Sequence, residues 1–130
     1  MVFNPKESER RLAIIRIQQQ EKKAREMAIL HNLPYIDLTV TPIDLDALAL
    51  VPKEKAEKGL FVPFQKIEKR ILFATVDPQN PILKETTEKF KNKGFIVEIL
   101  ICSKRSLERA LKEYSKVPAS SKEVVGKIKI

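Results

Sequence analysis

Hydrophobic positions in the first thirty residues fall at helical spacing. Leu12, Ile14, Ile15, Ile17, Ala24, Met27, Ala28 and Leu30 recur at mixed steps of three and four around a polar middle from Gln18 to Lys23. The spacing predicts one long helix over residues 7–32, with Pro5 at its approach and Asn32-Leu33-Pro34 as its stop, because a residue before proline is pushed out of the helical region. The apolar stripe is thin, which suits a helix docked loosely on its own domain or facing another surface.

Beyond Pro34 the pattern alternates between strand and helix. Tyr35-Ile36-Asp37-Leu38 reads as a short strand, and Asp44 is placed to cap a helical turn. Pro52 can begin a helix over 53–58 that Gly59 stops in the left-handed conformation. Runs 61–66 and 70–76 then form a hairpin, the second run being the more apolar and so the more central. Asn80-Pro81 is a cap followed by a first-turn proline, opening a helix that ends at Gly94. Phe95 to Ile101 is the strongest strand in the sequence, with Glu98 near an edge or end, and Ser103 caps a last helix over 104–114. The expected architecture is α+β, a small α/β sandwich: a long N-terminal helix, then β-α-β-β-α-β-α with a four-stranded mixed sheet and helices on one face. Residues 1–32 form the helical segment, 33–114 the compact domain, and 115–130 a polar, Lys-rich linker.

Length, charge and cysteine usage narrow the class. At 130 residues the chain is one domain with an appendage, and 43% hydrophobic residues suffice for a core without disulfides or metal. No apolar run approaches the ~20 residues of a membrane span. Cys102 is the lone cysteine, which excludes an intrachain disulfide or thiolate zinc cage and fits a reducing, cytoplasmic setting. The net charge of +8 invites an anionic partner. Of that excess, +5 lies from Cys102 onward, where Lys104, Arg105, Arg109, Lys112, Lys116, Lys122, Lys127 and Lys129 face only three acidic residues. Tyr114 is the sole aromatic there, whereas single-strand binders interleave cations with stacking rings, so a specific nucleic acid is not expected.

Catalytic chemistry finds little to work with. His31, the only histidine, belongs at a helix end, and it and Cys102 cannot make a metal triad. Asp37 and Asp77 end predicted strands and could act as an acid-base pair only if folded into one cleft, while Asp before Pro is an ordinary turn. Gly126-Lys127 is the single Gly-Lys pair, but Ser121 and Ile128 stand where a phosphate-binding loop needs Gly and Ser or Thr. The chain reads as no enzyme, with no cofactor or metal.

Asn32-Leu33-Pro34-Tyr35-Ile36-Asp37-Leu38, Pro42-Ile43-Asp44, Ala47 to Ala56, Phe61-Val62-Pro63-Phe64 and Leu72 to Pro78 stand in an order and spacing that resemble the N-terminal domain of type II secretion and type IV pilus assembly ATPases, over about residues 28–114. The resemblance implies a non-catalytic docking or regulatory module of a motor. Its partners would be the cytoplasmic part of an inner-membrane assembly protein and the motor's own ATPase domains, at the cytoplasmic side of that membrane. Some relatives bind cyclic di-GMP through repeated Arg-Leu-Gly motifs. Here Arg11-Leu12 is followed by Ala13 with no second copy, and loss of glycine blocks close backbone approach to phosphate. Partner contact is expected on the first helix, with Arg10, Arg11 and Arg16 supplying charge and Leu12 and Ile15 the anchors. The alternative is a basic module for nucleic acid or an anionic surface, driven by the tail.

Overall fold

A computed structural model describes residues 5–117. Helix α1 (Pro5–Leu30) leads into α2 (Leu45–Leu48), α3 (Lys53–Gly59), β1 (Phe61–Ile67), β2 (Arg70–Thr75), α4 (Pro81–Asn92), β3 (Ile96–Ile101), α5 (Lys104–Lys112) and a 3-10 turn at Glu113–Lys116. The linker expected over 115–130 lies outside the described residues from 118 on, while Val117 is still buried in the core.

Local chemistry accounts for most of the element ends. Asn32 takes the left-handed conformation (φ 55°) that closes α1, with the Leu33 N–H on the Ala28 carbonyl at 2.9 Å. Asp44 accepts from the Asp46 N–H, Asn80 from the Ile82 N–H and Ser103 from the Ser106 N–H, so each predicted cap is formed. Gly94 (φ 94°) follows α4. The stop of α3 differs from expectation. Leu60, not Gly59, adopts the left-handed conformation (φ 55°), and Gly59 is the last helical residue. Gly59 serves space instead, since a Cβ there would lie 2.5 Å from the Phe61 ring.

Among the described residues the sheet has three strands in the order β1-β2-β3, β1 antiparallel and β3 parallel to β2. The expected fourth strand is reduced to one parallel bridge between Tyr35 and Ile101. The reason is visible in where the backbone's hydrogen bonds go. Ile36 N–H still reaches the Ile101 carbonyl at 2.9 Å, but Leu38 N–H donates to Ser106 Oγ at 3.0 Å, and the Leu38 carbonyl accepts from Arg109 at 2.7 Å. Asp37 captures both the N–H and the hydroxyl of Thr39. With these groups committed to α5 and a local turn, no ladder can propagate.

The core has β2 at its centre. Phe73, Ala74 and Thr75 are consecutive and fully buried, so both faces of the sheet are covered there, not one face as expected. Phe61, Phe73, Phe90 and Phe95 form a chain of rings with centroids 5.0, 6.0 and 5.6 Å apart, which ties α4 to the sheet. Leu48, Val51, Leu107, Ala110 and Tyr114 belong to the same core, and the buried Tyr114 hydroxyl donates to the Val51 carbonyl at 2.8 Å. Glu98 sits exposed on the edge strand β3, 3.8 Å from Arg70.

Candidate functional site: the first helix and its seam

Positions 10, 14, 17, 21, 24 and 28 of α1 recur at steps of four and three and therefore share one face. The C-terminal part of that face is the seam with the body. Ala24 and Ala28 pack with Ile101, Met27, Leu33 and Tyr35 in a small cluster of their own. The small side chains bring the helix close but bury little apolar area. The remaining hold is polar. Glu21 is 7% exposed, accepts from the Tyr35 hydroxyl through Oε1, and has Oε2 4.0 Å from Arg105 Nη1. That second oxygen is buried without a hydrogen-bond partner among the described residues. Arg25 lies over the Tyr35 ring, 5.6 Å from its centroid. Burial, with the Glu21 hydrogen bond and charge added, raises the Tyr35 hydroxyl well above its ordinary range, so it stays a donor.

The neighbouring groups are likewise engaged structurally. Burial pushes the Asp37 carboxyl up, but the Thr39 hydroxyl and N–H, the Arg105 charge and the Ser106 hydroxyl together outweigh it and leave its pKa below the usual value. Burial, then the Glu21 charge, pushes the Cys102 thiol up to about 12, which leaves it a neutral packing group at physiological pH. Asp77 accepts from the Gln79 N–H in its own turn. The two aspartates are thus each committed locally, not joined as an acid-base pair. A shallow cleft of about 290 Å³ lies where α1 crosses the carboxyl ends of β2 and β3, between Lys23, Met27, Val76 and Lys104. No group of three metal-ligating side chains exists among the described residues, and no helix described is long and apolar enough to cross a membrane.

Burial along α1 begins at Glu21, and from Glu9 to Arg16 every side chain is exposed. This stretch forms an arm. The five residues singled out in the sequence are all on it, but the structure divides them. Arg10 lies on the face that continues the seam, whereas Leu12 and Ile15 lie on the opposite side and Arg11 and Arg16 on the two flanks. Ile14 and Ile17, which share the Arg10 face, were not singled out. Their signal was the spacing 10-14-17-21-24-28, hidden because Leu12 and Ile15 interleave with it. The seam's polar members, Glu21 and Tyr35, were also missed, since a glutamate in a polar helix middle carries no mark of burial.

The hold on α1 is testable. Tyr35→Phe keeps the ring under Arg25 but takes the hydrogen bond from Glu21 Oε1, so that neither carboxylate oxygen has a hydrogen-bond donor among the described residues, at a cost of about 1–3 kcal/mol. Amide exchange along residues 21–30 should quicken by about tenfold or more, with protection of β2 and β3 unchanged. A uniform loss of protection across the sheet would show instead that α1 unfolds only with the body.

A small mixed sheet carrying a long helix with an exposed arm defines the class as a compact α+β domain. The model of the MshEN domain matches residues 31–121, and the chain belongs to that family. It is 31% identical over 99 residues to the type IV pilus assembly ATPase PilB of Myxococcus xanthus (strain DK1622), covering 75% of this chain and 17% of that protein. In fold it is similar to MshE solved with cdg (TM-score 0.62, 21% identity, 70% of this chain and 65% of that one). It is also similar to the N-terminal domain of XpsE (TM-score 0.57, 11% identity, 73% and 66%). The chain is therefore an N-terminal domain of the secretion and pilus assembly ATPases, distinct from their catalytic domain.

Proposed function

We propose that the domain docks a type II secretion or type IV pilus motor onto the cytoplasmic part of an inner-membrane assembly protein, and that its own chain's ATPase domains are its second partner. The observation that carries this reading is the exposed arm of α1, whose Arg10 and Ile14, followed by the half-buried Ile17, continue a face that packs closely further along the same helix. A partner that extends the seam meets an apolar ridge ending in a cation, so an acidic rim on that partner is favoured. Arg10→Glu combined with Ile14→Ser should weaken binding of the assembly protein's cytoplasmic domain by at least about tenfold, at an unchanged melting temperature, because both side chains are exposed. Calorimetric titration checks this, and an unchanged affinity overturns it.

The likeness to MshE solved with cdg favours a second reading, a regulatory site for cyclic di-GMP. Ala13 stands against it, in the place where the motif requires glycine. The reading of a basic nucleic-acid module is weakened by the use of its cations: Arg109 is spent on the Leu38 carbonyl, Arg105 on Glu21 and Lys116 on Glu113 at 2.9 Å.

A further inference from the structure

One edge of the sheet is left open. The Ile96 N–H donates to the Lys69 carbonyl at 2.7 Å and the Cys102 N–H to the Thr75 carbonyl at 3.0 Å, so alternate residues of β3 turn their backbone groups toward β2. Val97, Ile99 and Ile101 turn theirs away from it. Ile101 is satisfied by the segment before Asp37, through the Pro34 carbonyl at 2.8 Å and the Ile36 N–H at 2.9 Å. Among the described residues no strand pairs with Val97 or Ile99 on that side. Their side chains pack against the core, whereas Ile96, 56% exposed, and Glu98 lie open on the other face. Such an edge is a template for one more strand.

The edge itself selects the occupant. Two copies joined edge to edge, with Val97 and Ile99 both paired, would set Glu98 directly opposite Glu98, and like charges so placed destabilise a sheet. The edge fits instead a strand with a cation opposite Glu98 and aliphatic residues on either side of it. Gly126-Lys127-Ile128-Lys129-Ile130 has that alternation in residues suited to a strand. Arg70, 3.8 Å from Glu98, is half exposed, as is Glu98, so the carboxylate remains open to a second cation. The chain can reach. Val117 is held in the core after a 3-10 turn that packs on α2, which in turn packs on β1. From β1 to β3 is two strand spacings, about 10 Å, and the six residues 118–123 extend to about 20 Å. We infer that residues 124–130 add to the free edge of β3 as a fourth strand, with Lys129 opposite Glu98 and Ile128 and Ile130 beside Val97 and Ile99. This contact closes the edge against other strands and fixes the direction in which the chain leaves the domain. It involves neither α1 nor its seam, so it stands or falls apart from the docking proposal.

The test is amide exchange in the full chain, followed by NMR at Val97 and Ile99. Both amides should exchange at least about tenfold more slowly than in the full-length variant Ile128→Pro with Lys129→Pro, which removes an inward donor whichever way the added strand runs. Protection between β1 and β2 should be the same in both. Lys129→Glu should likewise release the two amides, and Glu98→Lys in the same chain should restore their protection. Protection should not change on tenfold dilution. Three results would overturn the inference: equal exchange in the native chain and the proline variant; protection that falls on dilution, which would make a second copy the occupant; or protection unaffected by Lys129→Glu.

Discussion

Gly59→Ala is expected to destabilise the domain by about 2 kcal/mol, although alanine is the better helix former by up to about 1 kcal/mol. Gly59 is the last residue of α3, and its backbone is compatible with any side chain. The obstacle is the next strand. A Cβ at this position would sit 2.5 and 2.6 Å from two carbons of the Phe61 ring and 3.1 Å from a methyl of Ile82. Phe61 is fully buried, and its ring leans on Phe73 with centroids 5.0 Å apart, so it cannot turn aside without disturbing the central strand. For a domain of this size the loss corresponds to a fall in melting temperature of roughly 10 °C. Differential scanning calorimetry of the variant checks it, and a melting temperature at or above the native value would show that α3 can slide away from β1.

The larger effect belongs to Phe73→Ala. Phe73 lies on β2 with no exposed surface, between Phe61 and the edge-on ring of Phe90, which itself meets Phe95 at 5.6 Å. Its removal takes the middle out of the ring chain and leaves a cavity that strands on either side hold open. The cost is about 3–5 kcal/mol. Domains of this kind hold only about 5–15 kcal/mol in total, so the variant should approach the threshold of folding. Urea denaturation followed by circular dichroism should show a lower midpoint with little change in slope. A loss below about 1 kcal/mol would mean that the four rings are not the structural centre.

Much of the local structure was legible because its causes lie within a few residues. Asp44, Asn80 and Ser103 cap as their positions suggested, Pro81 opens α4, and β1 and β2 pair as a hairpin. Each depends on a side chain reaching a backbone group two or three residues away, or on a periodicity contained in one run. Gly59 was misread because glycine at a helix end usually answers a backbone need, and the ring of Phe61 that requires its small size becomes visible only once β1 folds back.

The candidate site was legible by half. The sequence alone determined that α1 is a long helix with cations and large apolar residues near its start. Which of those residues share a surface was decided by the body, because the seam at Glu21, Ala24 and Ala28 sets the rotation of the whole helix and sends Leu12 and Ile15 outward. The sheet tells the same story. A strand at 35–38 has the right composition, yet Ser106 and Arg109, 68 and 71 residues further along, take the Leu38 N–H and carbonyl and end the ladder after one bridge. Local propensity acts through neighbours in the chain, whereas these choices rest on competition for the same backbone groups by partners that only the folded chain brings within reach.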